Sequence, residues 1–388
     1  MRFVSAMAAA TAMIVSMAIS TPGKTQAAST SPEDHPALLE EPTFLDIRAP
    51  DGNYQLEALI VRPTAAKGRL PIALLTHGKP RLPSELKNMR ASLMSRQARD
   101  LAYRGYLAVA VVRRGYGASG GIPGQPANAA YVNCNDADLR RYFSGEADDL
   151  ERALRVVTAR TDADATRVIA IGGSVGGGAV LALAARNPPG LKAAVNLAGA
   201  MRITNAQGEL ICPQDMPIAA LASFGSQTRT PTLWVYSEND SNFGPEAARK
   251  VHAAYVAQGG VATLKIAPSL QPDDGHHIFQ LPAGRQHWLA ALDPFLREQR
   301  LPTWSAQQVD ALMQKYNLPA SRRPWLEGYF SLFTPKVLVR SPNGVMNYSA
   351  STSGIEPARK GAVESCEKAA KAPCNAIMTN FDMVTAAN

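Results

Sequence analysis

Two rhythms of apolar residues alternate along this chain. At 70–76, 106–112, 168–171, 191–197 and 231–236 nearly every position is apolar, which predicts strands buried on both faces. Between them, 88–104, 146–159, 179–186, 245–258 and 285–299 carry apolar residues at helical spacing. A further strand is expected at 262–267. Near the start, 43–48 and 54–62 alternate apolar and polar residues around Asp51-Gly52-Asn53, a hairpin signature. Residues 29–41 are polar and proline-containing, expected as a loose leader, and 122–144 and 198–230 as irregular inserts that roof a cleft. Strands alternating with helices at this spacing predict a doubly wound, mostly parallel α/β sheet. In such a sheet the ligand crevice lies beyond the carboxyl ends of the strands.

The two ends of the chain break this rhythm. A positive start, Met1-Arg2, is followed by an uncharged apolar run to Ile19 and by Thr25-Gln26-Ala27. That pattern predicts a signal peptide at 1–27, the alternative being an uncleaved anchor. The expected main domain is 28–300. From Leu301, Pro302, Pro319 and Pro324 punctuate an expected linker, 301–330, with one helical piece at 305–315. A hairpin (336–340, 345–349), a helix (356–370) and a strand after Cys374 then make an expected small α+β unit at 331–388. It is small for a core of its own, and reads as a stabilising or envelope-docking module.

Composition bounds the chemistry. With 388 residues, 46% hydrophobic and 19% charged, the chain has the makings of a large core. Its net charge of +8 falls to +6 once Arg2 and Lys24 are removed, and is spread along the chain rather than held in a basic block; nucleic acid is therefore not the expected partner. Cys134, Cys212, Cys366 and Cys374 are an even set in a chain expected to be exported to the periplasm or beyond. The economical pairing is Cys134–Cys212 with Cys366–Cys374, giving two disulfides. No C-x-x-C pair is present, so a zinc site is not expected.

The candidate chemistry centres on Gly172-Gly173-Ser174-Val175-Gly176, a glycine-framed serine between a predicted strand and a predicted helix. This fits a nucleophile elbow, whose sharp turn lifts a serine above the sheet edge. A phosphate loop is disfavoured because no Lys-Ser/Thr pair follows. A serine hydroxyl needs a base, and the base needs an orienting acid. Of six histidines, His35 lies in the leader, His252 and His287 in predicted helices, and His77 at a strand end with another task. His276 and His277 remain, and Gly275 before and Ile278-Phe279 after favour His276. The acid is expected at the end of the 231–236 strand. Asp240 fits and Glu238 is its rival, whereas Asp273 and Asp274 lie too near the base; Asp240 also reads as a turn or cap aspartate. Backbone N–H groups of Val175 and Lys79 are the expected oxyanion donors. A cis Lys79–Pro80 bond would suit that turn, and the Lys79 ammonium is expected in solvent, with contact to substrate as the open alternative.

Together His77-Gly78-Lys79-Pro80, Arg114-Gly115-Tyr116-Gly117-x-Ser119-x-Gly121, Gly172-x-Ser174-x-Gly176, Asp240 and Asp274-Gly275-His276 resemble the α/β-hydrolase superfamily, chiefly its dienelactone-hydrolase and prolyl-oligopeptidase-like branches. The resemblance covers roughly 70–300. It implies a serine hydrolase without cofactor or metal, with Ser174, Asp240 and His276 as a triad acting through an acyl-enzyme on a small-molecule ester. The chain lacks the His-Gly-Gly-Gly run of many lipases and has serine where dienelactone hydrolases have cysteine. A peptidase or amidase of the same fold is the first alternative, and a non-catalytic, envelope-binding version of the fold the second. The small cysteine-containing tail is similar to domains appended to some exported bacterial proteins.

Overall fold

The computed structural model describes residues 38–50, 52–64, 66–120, 134–201, 209, 212 and 216–384. The expected signal peptide and, of the expected roof, 122–133, 202–208, 210–211 and 213–215 lie outside these. Eight strands build the main sheet: β1 (Leu38–Ile47), β2 (Tyr54–Pro63), β3 (Leu70–Thr76), β4 (Leu107–Val111), β5 (Ala163–Gly173), β6 (Leu191–Leu197), β7 (Thr232–Ser237) and β8 (Ala262–Ala267). Their order is β1-β2-β4-β3-β5-β6-β7-β8. β1 and β2 form an antiparallel hairpin, β2 joins β4 antiparallel, and β4, β3 and β5 to β8 run parallel. Every residue of β4, and all but the first of β3, is buried, as their unbroken apolar runs require. The chain leaves β3 first towards β4 and later returns on its other side as β5. The carboxyl ends of β3 and β5, where Thr76 pairs with Gly172, are therefore the switch point at which such sheets hold ligands.

Six helices cover this sheet: α1 (Ser95–Ala102), α2 (Asp136–Thr158), α3 (Val175–Ala185), α4 (Met216–Ser223), α5 (Pro245–Ala257) and α6 (Pro282–Glu298). Four expectations need correction. Residues 38–41, expected in the leader, open β1; an edge strand tolerates Glu40, Glu41 and Pro42 because one side of it needs no pairing. The helix expected over 88–104 shrinks to α1, because Met89 and Arg90 are extended and the Ala91 N–H bonds Glu57 Oε1 instead. In the insert expected at 122–144, α2 starts at Asp136. Asn135 caps it by accepting the Asp138 N–H at 2.9 Å, and Asp136 and Asp138 suit the positive end of the helix dipole. The 198–230 insert likewise contains α4.

Two disulfides, Cys134–Cys212 and Cys366–Cys374, form as expected, with Cα–Cα separations of 5.3 and 6.1 Å. The first ties the start of α2 to the segment after β6. Among the described residues no helix is long and apolar enough to cross a membrane.

The C-terminal unit is a four-stranded antiparallel sheet of β9 (Lys336–Arg340), β10 (Met346–Ala350), β11 (Asn375–Thr379) and β12 (Asp382–Met383), in the order β10-β9-β11-β12. Successive β9 side chains face opposite ways. Val337 and Val339 share a core with Ile355, Ala358, Ala362 and Cys366 of a helix at Ile355–Ala370. Leu338 shares another with Val309, Leu312, Leu326, Tyr329 and Phe330. Those five belong to α7 (Ala306–Lys315) and α8 (Arg323–Ser331), with Ile355–Ala370 as α9. The stretch expected as a linker, 301–330, is thus the second helical layer of this unit. Pro324 marks a helix entry rather than a spacer: it sits in the first turn of α8, where no N–H is missed.

Candidate active site

Ser174 stands between β5 and α3 with φ 53° and ψ −126°, a left-handed strain that side-chain-bearing residues adopt where surrounding structure forces it. Two glycines impose the turn. A Cβ on Gly172 would lie 2.1 Å from the Gly176 carbonyl oxygen, and one on Gly176 would lie 2.4 Å from the His77 carbonyl oxygen. Strand, helix and the loop after β3 can approach this closely only without side chains at both positions. The result places the Ser174 hydroxyl at the switch point, beside the start of α3.

His276 comes to it from the loop after β8. Its Nε2 is 2.9 Å from Ser174 Oγ, and its Nδ1 is 3.1 and 3.3 Å from the two carboxylate oxygens of Asp240, beyond β7. Asp240 is buried, and its Oδ1 also accepts the Asn242 and Phe243 N–H groups, both at 2.8 Å. Asp240 therefore both closes its own turn and faces the imidazole. The rival Glu238 is exposed. His277 is exposed at the cleft, its ring 6.1 Å from that of His276. His252 bonds the Ala262 carbonyl and sits edge-on to Trp234, outside the site.

Asp274, weighed in the sequence only as a poor triad acid, has a different place. Its Oδ1 accepts the His276 N–H at 2.9 Å and the Ser241 N–H at 3.0 Å, and its Oδ2 accepts the Ser241 hydroxyl at 2.5 Å. It latches the loop of the base to the loop of the acid. Burial works against its charge, but these bonds hold its pKa below the ordinary carboxylate value. An aspartate two residues before a histidine at a short helical turn was the available signal.

His77 anchors the opposite wall. Its Nε2 faces the Arg113 N–H at 3.1 Å, which can only donate, so the ring proton is on Nδ1, 2.6 Å from the Gly78 carbonyl. Burial and then the Arg113 charge push its pKa well below the usual value, so it stays neutral. The Arg113 guanidinium donates to Thr76 Oγ1 at 2.5 Å and to the His77 carbonyl at 2.6 Å, and pairs with Glu146 on α2. Two residues 33 apart in separate elements leave no local signal of such a pair. The loop so held brings Gly78 against the nucleophile: a Cβ there would stand 2.9 Å from Ser174 Cβ. The N–H groups of Val175 and Lys79 make no hydrogen bond among the described residues. Lys79–Pro80 is trans, the cis bonds being Gln271–Pro272 and Thr334–Pro335. The Lys79 side chain, expected in solvent, is half-buried.

The cleft has two lobes of about 750 Å³ each that meet over Ser174, His276, His277, Lys79, Pro80 and Glu85. One runs past Val175, Met201, Asn242 and Phe243; the other runs past Met89, Leu93, Met94 and Gln97.

A serine on a strained turn at the switch point of a doubly wound sheet, in contact with a carboxylate-backed imidazole, defines a class: this is a hydrolase of the α/β-hydrolase fold. The family model for X-Pro dipeptidyl-peptidases (S15) matches residues 51–255, more than half of the chain, and the chain belongs to that family. Similar solved structures include a protein described as a dienelactone hydrolase from Klebsiella pneumoniae (20% identity, 66% of this chain and 97% of that one, TM-score 0.45). They also include dipeptidyl peptidase 4 of Porphyromonas gingivalis (19% identity, 67% and 35%, TM-score 0.47) and the acylaminoacyl peptidase of Pyrococcus horikoshii (17% identity, 69% and 42%, TM-score 0.47). The chain thus spans well under half the length of those two peptidases. No curated protein matches it in sequence.

Proposed function

We propose that the chain is an exported serine hydrolase that cleaves carboxylic esters of small molecules through an acyl-enzyme. The observation carrying this is the 2.9 Å contact between Ser174 Oγ and His276 Nε2 with Asp240 on the far side of the ring. Asp240 accepts a hydrogen bond from Nδ1–H, which keeps the proton on that nitrogen and leaves Nε2 free as a base. As Ser174 Oγ attacks the ester carbonyl, its proton passes to Nε2, and the Val175 and Lys79 N–H groups receive the oxyanion. Collapse expels the alcohol, which takes the proton back from Nε2. Water, deprotonated by the same imidazole, then releases the acid and restores Ser174. The positive end of α3 favours charge at the same spot. Two disulfides and the apolar N-terminal run support export. We propose 28–300 as the hydrolase domain, with the C-terminal unit stabilising it.

The match to X-Pro dipeptidyl-peptidases favours a second reading, hydrolysis of peptides after an Xaa-Pro pair. The two are separated by turnover of p-nitrophenyl esters of graded acyl length against Xaa-Pro p-nitroanilides, beside fluorophosphonate labelling with peptide mapping. Ester turnover and a label on Ser174 are expected. Ser174→Ala should remove both, and Asp240→Asn should lower kcat by about four orders of magnitude. Anilide turnover exceeding that of the esters would install the peptidase reading, and an unlabelled Ser174 with neither activity would leave a binding protein.

A further inference from the structure

Lys79 holds a charge for which the described residues supply no partner. Its side chain is half-buried, burial lowers its pKa, and its ammonium makes no hydrogen bond or ion pair with any described residue. Glu146, whose field reaches it, is committed to Arg113. Keeping an ammonium partly out of water without a counterion is costly. Lys79 lies in both lobes of the cleft, next to the glycine that touches Ser174.

The lobe that runs past Met201 and Phe243 contains a second cation, Arg81, exposed and without an ion pair among the described residues. Two acids face the same space. Asp274 is saturated by Ser241 and the His276 N–H. Glu85 is exposed on the rim, its Oε2 3.4 Å from the Leu82 N–H that it caps. Among the described residues of this lobe, two cations thus stand against one carboxylate outside any ion pair, and Met201 and Phe243 supply an apolar wall beside them.

We propose that Lys79 and Arg81 form an anion subsite, and that the substrate is an ester carrying a carboxylate a few bonds from the scissile carbonyl. A carboxylate there would give the Lys79 ammonium the charged hydrogen bond that the described residues withhold, while methylene groups between the two ends lie along Met201 and Phe243. The proposal rests on Ser174 being the nucleophile, but its test is separable from that reading.

The test is protection of Ser174 from fluorophosphonate labelling by monomethyl adipate, an anionic ester, compared with its neutral counterpart dimethyl adipate. In the wild-type chain the anion should protect at least about tenfold better, the value of one charged hydrogen bond. Lys79→Met should remove most of that preference, and Lys79→Arg should keep it. Arg81→Met should reduce it less, because Arg81 is exposed. Equal protection by the two esters, or a preference that survives in Lys79→Met, would overturn the subsite. If Ser174 takes no label, the nucleophile reading falls instead. Calorimetric titration of monomethyl adipate into wild type and Lys79→Met then still decides the subsite, binding to wild type alone supporting it and equal or absent binding refuting it.

Discussion

Single residues in this site answer to steric and tautomeric limits that can be stated in advance. Gly172 and Gly176 were legible because a strand, a turn and a helix cannot meet that closely with side chains, and the clashes at 2.1 and 2.4 Å bear this out. The contact of Ser174, His276 and Asp240 was legible because strand ends in a doubly wound sheet converge. His77 was legible only as a residue with another task. Its work is to keep the wall beside Ser174 in place as a neutral ring, and that has a pH signature. Its pKa in the folded chain lies well below the 6.5 of an unfolded one, chiefly through burial and then through Arg113. The unfolded state therefore binds the extra proton first. The stability His77 contributes is complete above pH 6.5 and declines as pH falls below it, by about 1.4 kcal/mol per unit while only the unfolded ring is charged. Thermal melts of the wild type should drop more steeply between pH 6.5 and 5 than those of His77→Gln. Parallel profiles would mean the ring is not held neutral.

At the scale of elements, period and length located all eight strands of the main sheet, and two of the misses fall at helix starts. α2 opens with polar capping residues, Asn135-Asp136-Ala137-Asp138, and its start is read as loop although Leu139, Tyr142 and Phe143 behind the cap already follow helical spacing and are buried. Where extended residues interrupt a helical rhythm, as Met89 and Arg90 do, a tertiary bond such as Ala91 N–H to Glu57 has overridden local preference. The loops after β7 and β8 carry acid and base separately, and Asp274 joins them. Its removal should therefore act on the chemistry rather than on binding. Asp274→Ala is expected to lower kcat by up to about 100-fold, the cost of a misplaced catalytic group, with little change in KM. Fluorophosphonate labelling of Ser174 should slow in proportion. A full labelling rate in a less stable protein would confine Asp274 to folding.

For the molecule as a whole, the hidden feature was how the C-terminal unit is attached. Asp100 on α1, Arg104 just beyond its end, and Arg285 and Asp293 on α6 carry no local signal of this role. All four are fully buried. Arg285 donates to Asp100 Oδ2 at 2.5 Å, while Asp100 Oδ1 accepts the Thr334 N–H and hydroxyl, both at 2.9 Å. Arg104 grips Asp293 at 2.7 and 2.9 Å, and the Thr303 hydroxyl joins them. Tyr106 donates to the Pro302 carbonyl at 3.0 Å. Side chains of α6 and of α1 and its end, on the main sheet, thus hold the chain on both sides of α7 and α8 through buried charges. Within the unit, the buried Lys336 ammonium donates to the Phe330 and Leu332 carbonyls at 2.6 and 2.9 Å, fastening β9 to α8. Buried ion pairs add little net stability over apolar packing, but breaking one leaves an uncompensated charge at about 3–5 kcal/mol. Asp293→Ala should therefore cost that much in urea unfolding, and Arg104→Met/Asp293→Leu should recover most of it. By the same reasoning a chain ending at Arg300 strips Asp100 of both Thr334 bonds and Asp293 of Thr303, so it should fail to accumulate in soluble form, whereas the full chain melts in a single transition. A soluble, active chain ending at Arg300 with an unchanged melting temperature would make the C-terminal unit an independent passenger.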